Sequence, residues 1–210
     1  TNGKTVRATQ ALFRGDNTPW VRSSALESLA KLDKEGAVNA SRTALNQPLN
    51  LKRESVNRAA IQILGRKGDR EDIPRILGFV GPKKSKNLRI TAAWALTSQV
   101  SKLEKEDKKT QYSVISRQIE PMLNDPDIRI RETGMSILGY IGDDQAAKLL
   151  NAYAADNHLS GHRERALDAA NRIRNRKPPS TKEKRDADLK RLEEKIEAVE
   201  KRLKEVERWR

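Results

Sequence analysis

The sequence predicts an all-α fold, an α-solenoid of about five stacked helix pairs followed by a C-terminal coiled-coil-like helix. Three observations predict it. The stretch Ile-Leu-Gly-Tyr-Ile-Gly-Asp at 137–143 repeats Ile-Leu-Gly-Arg-Lys-Gly-Asp at 63–69, with five of seven positions identical. Their offset of 74 is twice 37, inside the range of periods at which self-similarity marks a stacked helical array. A first-helix pattern also recurs: Val21-Arg22 with Ala25-Leu26, Val56-Asn57-Arg58 with Ala60-Ile61, Leu88-Arg89 with Ala92-Ala93, Ile130-Arg131 with Gly134-Met135, and His162-Arg163 with Ala166-Leu167. Lastly, 36% hydrophobic and 34% charged residues in 210 suit a thin, elongated core, in which each unit buries its apolar side only against its neighbours.

Each copy of the repeated motif reads as a helix closing on Ile-Leu and a Gly that lets a neighbouring helix approach. A second Gly then ends the helix with positive φ, and an Asp caps the next helix. Within residues 1–15, Val6, Ala11, Leu12 and Phe13 supply the apolar side of a second helix whose unit begins upstream, and the absent initiator Met suggests a piece of a longer protein. Asn17-Thr18-Pro19 starts the next helix with a polar cap and Pro in the first turn. That helix carries Val21, Ala25, Leu26, Leu29 and Leu32 on one face.

The first-helix anchors at 21, 56, 88, 130 and 162 are separated by steps of 35, 32, 42 and 32. The extra length of the third unit falls in the charged run 102–111, expected to be a solvated loop or a helix extension, because insertions in such arrays map to connections. Second helices are expected over 36–46, 70–80, 108–124 and 144–156. Pro74 fits a first turn; Pro121 kinks or ends its helix; Pro126 is expected inside the helix that Asn-Asp-Pro-Asp restarts.

Asp-Pro-Asp-Ile-Arg-Ile-Arg-Glu at 125–132, leading into Ile-Leu-Gly-Tyr-Ile-Gly-Asp and a second helix, resembles HEAT repeats. The resemblance covers residues 18–176. It implies an α-solenoid whose second helices line a concave face, and it says little about function, since scaffolds, lyase subunits, DNA-binding proteins and enzyme appendages share it.

After the 1–176 solenoid, Lys-Pro-Pro-Ser marks a hinge over 177–181. A helix over 182–210 follows. Its apolar residues Leu189, Leu192, Ile196, Val199, Leu203 and Val206 recur at steps of 3, 4, 3, 4 and 3, a heptad seam. With Leu189, Ile196 and Leu203 at a, a parallel homodimer faces Lys195 with Glu200 and Arg202 with Glu207, whereas an antiparallel one opposes glutamates. The alternative is that the helix folds back on its own solenoid, because three heptads are marginal alone.

No catalytic apparatus is visible: no nucleophile elbow, phosphate loop or dinucleotide fingerprint occurs. No cofactor and no metal are expected. Cysteine is absent, which removes thiolate ligands and nucleophiles. His158 and His162 have the spacing of a shared metal site, but Leu-Ser-Gly between them breaks the helix such a pair needs. Trp94, flanked by small residues in Ala-Ala-Trp-Ala-Leu, is expected in the core or packed between repeats, and Trp20 at a surface.

Aligning Ile73-Pro74-Arg75-Ile76-Leu77 with Ile115-Ser116-Arg117-Gln118-Ile119 and Ala146-Ala147-Lys148-Leu149-Leu150 puts Arg75, Arg117 and Lys148 at equivalent places. Stacking would bring them into a concave basic row able to hold an acidic peptide, a carboxylate or a phosphate backbone; the alternative is ordinary solvated charge.

The net charge of +14 is spread thinly, with an excess between +1 and +4 in each of the segments 1–33, 34–80, 81–125, 126–176 and 177–210. A phosphate-binding module concentrates its charge, so nucleic acid is possible but not favoured, and a protein or peptide partner is expected. No apolar run reaches the ~20 residues that cross a bilayer, and Thr-Asn-Gly-Lys at the start has no signal-peptide core. The compartment stays open, with the cytoplasm slightly favoured.

A narrower resemblance concerns the run from His-Arg-Glu-Arg-Ala-Leu at 162–167 to Leu-Lys-Arg-Leu-Glu-Glu-Lys at 189–195. It is similar to the ending of bacterial zinc aminopeptidases of the aminopeptidase N-like family that close in HEAT repeats. The family's His-Glu-x-x-His motif, downstream glutamate and substrate loop are absent, so no catalytic residue carries over. The implied role is a non-catalytic C-terminal region that covers an active-site chamber, restricts peptide entry or joins subunits.

Overall fold

The structure is a computed structural model that describes residues 2–15, 18–47, 53–103, 105–156 and 160–175; the side chains of residues 2, 105–109 and 160 lie outside that description. The hinge 177–181, the seam Leu189, Leu192, Ile196, Val199, Leu203 and Val206, and His158 also lie outside the described residues. The described chain is all-α, without a strand. Its helices are α1 (Asn2–Gly15), α2 (Pro19–Leu32), α3 (Lys34–Leu45), α4 (Glu54–Lys67), α5 (Ile73–Leu77), α6 (Lys86–Ser101), α7 (Lys105–Ile119), α8 (Ile128–Ile141), α9 (Asp144–Asp156) and α10 (Ser160–Asn175). Short 3-10 turns at Arg70–Asp72 and Glu120–Asn124 join α5 and follow α7.

The apolar stripe of α2 buries Ala25, Leu26, Leu29 and Ala30. Packing is serial: α1 lies on α2, α2 on α3 and α4, α4 on α6, and α6 on α8. One continuous core runs through them, with Leu26, Ile61, Leu64, Leu96, Ile137 and Leu138 fully buried. Burying each such side chain contributes roughly 1.5–3 kcal/mol.

The two motif copies set the spacing of that series. A Cβ added at Gly65 would lie 2.7 Å from the Ala95 Cβ, and one at Gly139 would lie 2.9 Å from the Ala169 Cβ. The missing side chain is what lets α4 and α8 meet the backbone of the helices carrying those alanines. The second glycines correct the expectation of positive φ: Gly68 sits at φ −70, ψ −179 and Gly142 at φ −67, ψ 158. Crowding, not handedness, requires glycine there. A Cβ at Gly68 would fall 2.6 Å from the Leu64 carbonyl oxygen, and one at Gly142 would fall 2.4 Å from that of Leu138 and 2.6 Å from the Ala146 Cβ. The motif aspartates do cap: Asp69 closes a capping box with Asp72, and Asp143 Oδ1 accepts from the Ala146 amide at 3.0 Å.

Other boundaries also differ from expectation. The second helix expected over 70–80 is a 3-10 turn plus the short α5, with Pro74 in its first turn. The charged run before Tyr112 extends α7 back to Lys105, and Pro121 falls in the 3-10 turn that ends it. Pro126 stands before α8, whose cap is Asp127, because the Asp125-Pro126 pair disfavours helical backbone at the preceding residue. In α1, Phe13 is buried and Val6 half-buried, but Leu12 is exposed, as is Leu32 in α2.

Candidate interaction surface

Trp94 stands half outside the core and packs across to another helix, the second of the two places expected of it. On α6 its neighbours Ala92, Ala93 and Ala95 are buried while Trp94 itself is 43% exposed. The small residues accommodate an approaching helix, as Ala95 does for Gly65, and a ring one position away on the helix turns outward. Tyr140 of α8, 52% exposed, lies 6.0 Å from it centroid to centroid at 59°, within the tilted geometry aromatic pairs favour. The Arg172 guanidinium sits 5.7 Å from the Tyr140 ring centre, a cation–π distance.

Two shallow hollows flank the pair. One is lined by Trp94, Thr97, Tyr112, Tyr140 and Ile141; the other by Gln62, Arg66, Ile90, Trp94 and Ser98. Arg66 occupies in the first motif copy the place that Tyr140 occupies in the second. The surface is therefore two half-exposed rings bracketed by Arg66 and Arg172, both exposed. Sequence reasoning missed it, and the one signal was the motif's variable fourth position.

Of the expected basic row, Arg75 is placed apart from the other two. Arg75 is tied down, its Nη1 donating to Asp72 Oδ1 at 2.9 Å and its Nε to Asn46 Oδ1 at 3.3 Å. Arg117 and Lys148 are exposed and line adjoining hollows that share Asp143, Gln145 and Leu149. The motif offset of 74 carries Arg75 to Leu149, one position past Lys148.

The arginine cluster around Arg75 joins α3 to the start of the next pair. Arg42 Nε donates to Asp72 Oδ1 at 2.9 Å, while its Nη2 donates to Asp72 Oδ2 at 3.0 Å and to Asp69 Oδ2 at 2.7 Å. Asp72 has no exposed side-chain surface. Burial alone pushes its carboxyl upward, but hydrogen bonds from Arg42 and the Asp69 amide, with the charges of Arg42 and Arg75, bring it below the ordinary value of 3.8. Burial and the charge of Lys34 lower the Lys102 ammonium, against the pull of Asp72 and Asp69. A second clip holds Arg89, whose Nε donates to the Val80 carbonyl at 3.1 Å and Nη1 to Asp125 Oδ2 at 2.5 Å.

His162 is buried with Nδ1 3.3 Å from the Tyr153 hydroxyl. Among the described residues no group of three His, Asp or Glu is placed to hold a metal ion, and no described helix is long and apolar enough to cross a membrane. Comparison with protein-family models and with curated proteins finds no match for this chain.

Proposed function

We propose that the chain is a non-catalytic scaffold, an α-solenoid of the HEAT type, that binds a protein or peptide partner. The serial packing of α2, α4, α6 and α8 and the equivalent glycine contacts at Gly65 and Gly139 support the architecture. The observation that carries the binding half is the Trp94–Tyr140 pair, left half in water between Arg66 and Arg172. Trp, Tyr and Arg are the side chains that dominate binding energy at protein interfaces. Tyr112 lies beside the pair, and the rings carry large apolar area with few rotatable bonds to immobilise.

A nucleic-acid partner is the second reading, favoured by the net charge of +14 and by rings interleaved with arginines. One experiment separates them. A random peptide library is selected against the chain and counter-screened against the Trp94→Ala/Tyr140→Ala double variant, and a single-stranded oligonucleotide is titrated at about 50 and 200 mM salt. Peptides that bind the parent and not the double variant support the scaffold reading. Oligonucleotide binding that collapses with salt, with no peptide enriched, overturns it. The narrower form, a C-terminal region of a larger zinc aminopeptidase, rests on the resemblance of residues 162–195 and requires a His-Glu-x-x-His helix elsewhere in the same polypeptide.

A further inference from the structure

Two helix-to-helix joints in this chain use sequence positions related by the motif offset, and one of them lacks its arginine. In the first joint Arg42 of α3 and Asn46 at its C-terminal cap face Asp69, Asp72 and Arg75. Adding 74 to each number gives the second: Ser116 and Glu120 face Asp143, Ala146 and Leu149. The capping aspartate is retained, as Asp69 and as Asp143, but the guanidinium that occupied the space beside it is replaced by a serine hydroxyl.

What remains is a small hollow, partly open to solvent, whose polar lining includes Ser113, Ser116, Glu120, Asp143 and Gln145, with Arg117 beside them. Ser116 is 6% exposed, and its Oγ is the buried side-chain oxygen or nitrogen that lacks a hydrogen-bond partner among the described residues. Such a group costs about 1–3 kcal/mol if left unmade. Asp143 uses Oδ1 on the Ala146 amide; among the described residues no ion pair joins Asp143, Glu120 or Arg117 to another group.

We infer that this hollow binds a guanidinium group, the arginine side chain of a protein or peptide partner, between Ser116 Oγ, Asp143 and Glu120. The lining carries two carboxylates against one cation, so it selects a positive ligand. Its acceptors stand on α7, on the 3-10 turn that follows it and at the cap of α9, and a planar fork with five donors can serve several acceptors at once where an ammonium is a point charge. The molecule contains its own precedent, since the Arg42 guanidinium engages Asp69 and Asp72 together at 2.7–3.0 Å. In the second joint position 116 is serine, so the guanidinium must come from outside. The site is separate from the Trp94–Tyr140 surface, and its ligand class is stated independently of that reading.

The test uses the full chain labelled with ¹⁵N and three probes, the acetylated amides of arginine, lysine and citrulline, the last a neutral isostere. The arginine probe saturably shifts the amides of Ser116, Asp143 and Ala146, the lysine probe binds more weakly, and citrulline shifts none of them. Asp143→Asn, which still caps α9, weakens the arginine probe by about tenfold, the scale of one charge-assisted contact. Ser116→Arg abolishes the response by filling the site from within; Ser116→Val, a smaller change, does the same should the arginine variant fail to fold. Equal shifts from citrulline and arginine, or no saturable shift at these amides, overturns the inference. So does binding that appears only in Arg117→Ala, which would mean that the hollow is closed by its own neighbour.

Discussion

Arg42 donates two hydrogen bonds to Asp72, a carboxylate in the next helix pair with no exposed surface. The pair ties the end of α3 to the 3-10 turn that leads into α5. Breaking a buried ion pair by removing one partner leaves an uncompensated charge, whereas exposed pairs contribute little. Because Arg42 is itself part-exposed and Arg75 stays beside Asp72, Arg42→Ala is expected to lower unfolding free energy by about 2 kcal/mol. Urea denaturation checks it, and a midpoint unchanged from the parent would show the pair to be ornamental.

The same carboxylate sets a pH dependence. Its folded pKa lies below the ordinary 3.8, so its contribution is fully present above the unfolded value and is lost as pH falls through the folded one. Acid unfolding followed by circular dichroism should therefore steepen below about pH 4, and the Asp72→Asn chain, less stable at neutral pH, should show a flatter profile there. A neutral-to-acid profile identical in the two chains would remove Asp72 from the account.

Gly65 and Gly3 give opposite forecasts for one substitution. A Cβ at Gly65 would collide with Ala95, while nothing lies within 4 Å of one at Gly3. Gly65→Ala should destabilise by about 1–3 kcal/mol through overpacking. Gly3→Ala, at an exposed position of α1, should be neutral or stabilising by up to about 1 kcal/mol. Thermal melts of the two variants suffice, and equal shifts would contradict the close helix approach.

Ser116→Ala should raise stability, by up to about 1 kcal/mol, because it deletes a buried hydroxyl with no partner. Ser41→Ala is the control: that hydroxyl donates to the Ala37 carbonyl at 2.7 Å, so its loss should not stabilise. Urea midpoints of both variants decide it, and a loss of stability at position 116 would mean that the hydroxyl is satisfied in solution.

The parallel pairing proposed for residues 182–210 predicts that their removal converts a dimer into a monomer in sedimentation. An association state that survives the deletion eliminates the pairing.

The all-helical class and the places where α4 and α8 end were legible because Gly and Asp act locally. The motif located Gly65 and Gly139 correctly as approach points, since an apolar run interrupted by Gly has few other uses. It misread Gly68 and Gly142. A glycine ending a helix usually turns left-handed, whereas here the carbonyls of Leu64 and Leu138 crowd the position instead, which no local pattern records. Arg42 carried no signal at all, because its acceptors, Asp69 and Asp72, lie far along the chain in another unit. Trp94 takes the second of its two expected places for a physical reason: the alanines around it make room for backbone on the opposite side, which leaves the ring at the edge of the core against Tyr140. The hollow at Ser116 emerges only from comparing one joint with another, since an absent side chain leaves no letter to read.

The glycine contacts bear on how this chain can be lengthened. Gly65 meets Ala95 and Gly139 meets Ala169, the same step along the chain in each case. A cassette of residues 66–139, spliced in frame after Gly139, would thus bring a fresh glycine opposite the alanine that Gly139 now meets, and the alanine inside the cassette opposite Gly139. Extension by whole cassettes would keep every seam in register, whereas an insert of any other length would slide alanine away from glycine and set two side chains where there is room for none.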